Sequence, residues 1–137
     1  MIVLDCCAAV EITLQTEQGR ALAALIDDNE RILSVELMRA ELASVFRKLA
    51  MRGSITPGQA CEYLKLSSEL VDEWWPMKTL QDEVLRESIR LQHSAYDMFY
   101  FILARRTGAT LFTVDARLVE LCLAHGVNCV QKIPLGE

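Results

Sequence analysis

No stretch of this chain is long and apolar enough to span a membrane. The longest apolar run, Met98 to Ala104, falls far short of the roughly 20 residues a span requires. No secretory leader is expected either, because Asp5 interrupts the first apolar segment and no charged-then-apolar pattern precedes it. The expected location is therefore the cytoplasm. The five cysteines form no Cys-x-x-Cys pair and lie near no histidine at zinc spacing. An odd number of them, without a leader, predicts reduced thiols used as small core residues. Cys6 and Cys7, adjacent and hence poor disulfide partners, are expected to pack beside Asp5. There is no Gly-rich phosphate loop. The two histidines, His93 and His125, come with no Ser or Cys nucleophile at motif spacing, which argues against a triad hydrolase. No internal repeat, low-complexity stretch or linker divides the chain, so residues 1–137 are expected to form one domain.

What is present is apolar and acidic. The apolar fraction is 52%, slightly above the usual range for soluble domains, which favours a buried central sheet and hints at a homodimer interface. The formal net charge is −5, which by itself argues against a polyanionic ligand. Four acids stand apart from the rest: Asp5, Glu41, Asp97 and Asp115. Without them the balance is near −1, and two divalent cations would cancel their charge. A nucleic-acid substrate thus stays open if metal mediates the contact.

The pattern predicts alternating strands and helices. Met1 to Leu4 reads as a buried strand, Ala8 to Leu14 and Thr16 to Asp28 as helices, and Arg31 to Val35 as a strand. Leu37 to Arg52 is a strong helix with Met38, Leu42, Val45, Phe46 and Leu49 on one face, closed by Gly53. Thr56-Pro57 opens a helix expected to run to Pro76, just past Trp74-Trp75. Lys78 to Leu80 is a candidate short strand. Gln81 to Gln92 is a helix expected to turn Val84, Leu85, Ile89 and Leu91 inward. Ala95 to Arg106 is helical, Thr110 to Val114 a strand, Asp115 to His125 a helix, and Val127 to Val130 the last strand, before a loose tail from Gln131. Such alternation predicts an α/β fold with a parallel sheet and helices on its faces.

In open parallel sheets the ligand crevice lies beyond the carboxyl ends of the strands. Asp5 and Asp115 both follow strands at that end. Asp97 is the only charge between Ala95 and Ala104, and Glu41 falls on or beside the core-facing stripe of its helix. A buried carboxylate costs several kcal/mol unless it is paired or binds a metal. Each acid has an ordinary reading as well. Asp5 could serve a turn, Asp115 could cap its helix, and Asp97 could form a capping box with Ser94. Glu41 could pair with Lys48 or a distant arginine. Four oxygen ligands without His or Cys suit a hard cation, Mg²⁺ or Mn²⁺. Thr113, on the same side of its strand as Asp115, could position a carboxylate or a water. Glu36 and Glu11 are weaker candidates, and Arg39, Arg47 and Arg117 are candidate phosphate contacts. Trp74-Trp75 reads as core or interface rather than a base-stacking platform.

In order along the chain, Ile2-Val3-Leu4-Asp5, Ala40-Glu41-Leu42, Ala95-Tyr96-Asp97 and Thr113-Val114-Asp115 with Leu118 resemble the motifs of PIN-domain ribonucleases, VapC-type toxins in particular. The likeness covers nearly the whole chain. It implies a PIN-like three-layer α/β/α sandwich with a mostly parallel sheet. It also implies that Asp5, Glu41, Asp97 and Asp115 form an acidic, catalytic, metal-binding quartet for Mg²⁺ or Mn²⁺. The implied substrate is RNA, and the implied partner is a cognate antitoxin covering the crevice. Where that family commonly carries a small hydroxyl residue soon after the first Asp, this chain carries Cys6-Cys7. Two other readings of the residues compete: an Asp-based phosphotransfer domain, and a non-catalytic module whose acids bind a basic peptide. The first is disfavoured because position 7 is Cys7, not a second Asp, and no acidic pair precedes a phospho-acceptor.

Overall fold

The computed structural model describes residues 1–130. The reading of a loose tail from Gln131 lies outside the described residues. Four strands, β1 (Ile2–Leu4), β2 (Ile32–Val35), β3 (Glu73–Trp75) and β4 (Thr110–Phe112), form a sheet in the order β3-β2-β1-β4. Every neighbouring pair is parallel. Seven helices connect them among the described residues: α1 (Cys6–Leu14), α2 (Glu17–Ala24), α3 (Leu37–Met51), α4 (Pro57–Glu69), α5 (Gln81–Leu91), α6 (Ala95–Thr107) and α7 (Ala116–Ala124).

Ile2, Val3 and Leu4 are all buried, as are all four residues of β2. Successive strand residues point to opposite faces, so both faces of the sheet are covered. This is the expected α/β architecture. Helix α6 is the centrepiece: Met98 through Ala104 are seven consecutive buried residues, and the helix packs on β1, β2 and β4. A helix apolar all round has to be an internal one. No helix among the described residues is long and apolar enough to cross a membrane.

From β1 the chain steps to β2 and β3 on one side. It then returns through α6 to β4 on the other side of β1. The direction of winding therefore reverses between β1 and β4, which is where a crevice opens in such sheets.

Four expectations need correction. The helix begun by Thr56-Pro57 forms a capping box with Gln59 and ends at Glu69 rather than at Pro76. Trp74 and Trp75 lie on β3, where bulky aromatic residues fit a pleated surface. The Asp72 carboxylate helps register this strand by accepting from the Ile32 N–H at 2.8 Å. Lys78 to Leu80 is not a strand, since Met77–Thr79 forms a 3-10 turn. On α5, Val84 is buried and Leu91 half-buried, but Leu85 and Ile89 are exposed at 60% and 70%. The last strand shrinks to one bridge between Leu111 and Cys129.

Helices α1 and α2 meet at Gly19. A Cβ placed there would sit 1.8 Å from the Glu11 carbonyl oxygen and 2.7 Å from the Ile12 nitrogen. Backbone on both sides leaves nothing flexible to yield. Gly19→Ala is therefore expected to cost about 2–3 kcal/mol of stability, the upper part of the overpacking range. The urea midpoint should fall at an unchanged slope. A wild-type midpoint would show that the helices separate freely.

Candidate active site

A cleft of about 400 Å³ is lined by Asp5, Glu41, Asp97 and Asp115, together with Cys6, Cys7, Ser44, Val45, Lys48, Tyr100 and Val114. All four singled-out acids thus border one space, although 110 residues separate the first from the last. Three of them stand at helix N-terminal ends. Asp5 is the N-cap of α1 and accepts from the Ala8 N–H at 2.9 Å. Asp115 is the N-cap of α7 and accepts from the Arg117 N–H at 2.9 Å. Asp97 lies in the first turn of α6. The N-terminal end of each helix presents backbone N–H groups and a partial positive charge to the cleft.

Each acid is held by a partner. The Cys7 thiol donates to both oxygens of Asp5, at 3.1 and 3.2 Å, and lies 3.5 Å from the Thr113 hydroxyl. Thr113, 1% exposed, in turn accepts the Asp115 N–H at 3.1 Å. A chain of polar contacts therefore links the Asp5 and Asp115 ends of two neighbouring strands. The Tyr100 hydroxyl donates to Glu41 from the buried face of α6. The Nε2 of His93, in a side chain 9% exposed, lies 3.2 Å from Asp97.

Of the ordinary readings, Asp115 as a helix cap holds, and two others do not. Ser94 makes no side-chain cap bond, so the capping box with Asp97 does not form. Among the described residues Glu41 has no ion pair. Arg39 is engaged elsewhere, bonded to Glu36 at 2.7 Å and stacked 3.9 Å over Trp74. Glu36 and Glu11 do not line the cleft; Glu11 bonds the Thr16 hydroxyl instead. Of the three candidate phosphate-contact arginines, none lines the cleft. Cys7 stands beside Asp5 as expected, whereas Tyr100 and His93 were missed as supporting groups. The sequence held one usable hint, a tyrosine hydroxyl inside the otherwise apolar run of α6, which must find a partner when buried.

The electrostatics are those of a partly buried acidic pocket. Burial pushes the Asp5 carboxyl up to about 6, and the Asp97 charge adds to this. Hydrogen bonds from Thr113, Ala8 and Cys7 pull it the other way but do not prevail. Glu41 is also raised, first by burial and then by Asp97, against the opposing Tyr100 bond. Burial and the Asp5 charge push the Cys7 thiol up to about 12, so it stays a neutral donor. Oxygen donors in such a pocket fit a hard divalent cation. Among the described residues no three Asp, Glu, His or Cys side chains converge into a ready-made ligand cage.

Comparison with known proteins bears on the family and the fold. The family described as PIN domain matches residues 2–123. Ribonuclease VapC12 of Mycobacterium tuberculosis is 30% identical over 128 residues, covering 93% of this chain and 95% of that protein. Ribonuclease VapC9 of the same species is 33% identical over 120 residues, covering 88% and 90%. The crystal structure of PAE2754 from Pyrobaculum aerophilum superposes with a TM-score of 0.71 at 21% identity, covering 95% of this chain and 83% of that one, and supports the fold.

The Asp5 shift has a measurable sign. A carboxyl raised to about 6 in the folded protein, against an ordinary 3.8, binds its proton more tightly folded than unfolded. Its contribution to stability is full below pH 4 and is lost as pH rises to about 6, a loss of about 3 kcal/mol at 1.36 kcal/mol per pKa unit. Without divalent metal, Asp5→Asn should be more stable than wild type by about 1–3 kcal/mol at pH 7 and lose that advantage near pH 4. Urea unfolding in a chelating buffer at both pH values measures it. Equal differences at the two pH values would contradict the raised value.

Proposed function

This chain belongs to the PIN-domain family, and from that premise we propose that it is a Mg²⁺- or Mn²⁺-dependent endoribonuclease, the cytoplasmic toxin of a type II toxin–antitoxin pair. The observation that carries the reading is the cleft in which Asp5, Glu41, Asp97 and Asp115 meet with no arginine among its lining residues. The similar proteins named as VapC ribonucleases support the activity and the toxin class. The 137 residues act as one PIN-like domain.

In this reading the four carboxylates hold the cation, directly or through water. When bound, the metal polarises the scissile phosphate and lowers the pKa of a coordinated water. The protein's own work is orientation. Tyr100 keeps the Glu41 carboxylate turned into the cleft, and His93 does the same for Asp97. The Cys7–Thr113 contact fixes Asp5 relative to Asp115, in the place where the family's small hydroxyl residue stands. The Asp5 carboxylate accepts every one of its bonds, which leaves it charged and rigid once a cation offsets its burial.

The partner is an antitoxin that covers the crevice with a cationic side chain, because a positive group there replaces the metal's charge and blocks phosphate entry. The exposed Leu85 and Ile89 on α5 offer apolar surface for a homodimer.

Incubation of total RNA with purified protein tests the activity. Discrete cleavage is expected with millimolar Mg²⁺ or Mn²⁺ and none with chelator. Asp97→Asn should lose cleavage while keeping the fold, and the wild-type melting temperature should rise with Mn²⁺ by linkage. A wild-type protein that neither cleaves RNA nor responds to Mn²⁺ contradicts the reading. In cells, wild type should arrest growth and Asp97→Ala should not. Equal toxicity of an Asp97→Ala protein shown to be inactive would detach toxicity from RNA cleavage.

A further inference from the structure

The cleft has a second, positive pole. Helix α3 presents Glu41, Ser44, Val45 and Lys48 to it. These are positions i, i+3, i+4 and i+7 of one helical face. At 1.5 Å per residue, Lys48 stands about 10 Å along the axis from Glu41. It is exposed, and among the described residues it is the one cation lining a space bordered by four carboxylates and forms an ion pair with none of them. Four residues further along the same face, Arg52 ends α3, also exposed and unpaired among the described residues. Arg39, Arg105 and Arg106 are by contrast tied to glutamates. α3 therefore carries a track that begins at a carboxylate and ends in two free cations.

We propose that Lys48 binds a backbone phosphate next to the scissile one, so that single-stranded RNA lies along α3 with Arg52 meeting the strand beyond. The inference rests on the ribonuclease reading and specifies how that site takes its substrate. A chain of net charge −5 has no general field to attract RNA, so local cations must supply the attraction. The acids and Lys48 divide the labour: the metal end takes the phosphate that reacts, the lysine end takes one that does not. A cleft of about 400 Å³ is in the range of small-molecule sites, room for a stretch of one strand rather than a duplex.

The test uses Lys48→Ala and Lys48→Arg with two probes. One is a fluorescent 12-nucleotide single-stranded RNA spanning a cleavage site mapped in total RNA. The other is the dinucleotide at that site, which has only the scissile phosphate. With the 12-mer, Lys48→Ala should raise KM about tenfold, the low end for a charge-assisted phosphate bond, at nearly unchanged kcat. The slope of log KM against log salt should fall by about 0.7, the value for one single-strand phosphate contact. Lys48→Arg should restore both. The dinucleotide KM and the Mn²⁺-induced melting shift should match wild type. Wild-type KM and slope in Lys48→Ala overturn the proposal, and so does an equal loss on the dinucleotide, which would place Lys48 at the scissile phosphate. Failure of the wild type to cleave either probe is a different result: it removes the ribonuclease reading and this inference with it.

Discussion

Four like charges share one cleft, and most of what surrounds the site follows from the need to keep them there. Asp5 is 4% exposed and Glu41 half-buried, while among the described residues the lining supplies only one cation, at the far end. Removing carboxylates from water next to one another is unfavourable by several kcal/mol. The fold offsets part of this with helix N-termini. Asp5 and Asp115 cap α1 and α7, and Asp97 sits in the first turn of α6. A parallel sheet supplies such ends at its carboxyl edge, because each strand there turns into a helix. The remaining charge is left for a ligand, which is the physical content of the metal proposal.

Rigidity comes from behind the cleft. α6 is buried along seven consecutive residues and contacts three strands, so Asp97 at its start and Tyr100 one turn on cannot move independently of the core. Glu41 belongs to a different helix, α3, and Tyr100 joins the two. Cys7 and Thr113 perform the same service between β1 and β4. A thiol with its pKa pushed up to about 12 stays protonated and serves as a weak donor to Asp5.

The sheet and the acids were legible because both leave short-range marks. Uninterrupted apolar runs gave the buried strands, and an acid directly after a strand marked its carboxyl end. Asp97 was legible as a lone charge in an apolar helix. The supporting contacts were not legible, because Tyr100 meets Glu41 across 59 positions and Cys7 meets Thr113 across 106. β3 was hidden because Trp74 and Trp75 follow a helical pattern with no Gly or Pro to punctuate its end at Glu69. Leu85 and Ile89 read as core by spacing alone, but α6 packs on α5 from the side of Val84 and its salt bridges run through Glu83 and Glu87. Periodicity identifies an apolar face without saying what covers it.

The central claim is that Asp5, Glu41, Asp97 and Asp115 serve one hard cation site. Anomalous diffraction from crystals soaked in millimolar Mn²⁺ addresses it directly. The account predicts a peak inside the cleft, about 2–2.6 Å from a carboxylate oxygen of Asp5 or Asp97 and bridged by water to the other acids. A cleft without manganese at that concentration, or a peak held only by residues outside it, would contradict the account.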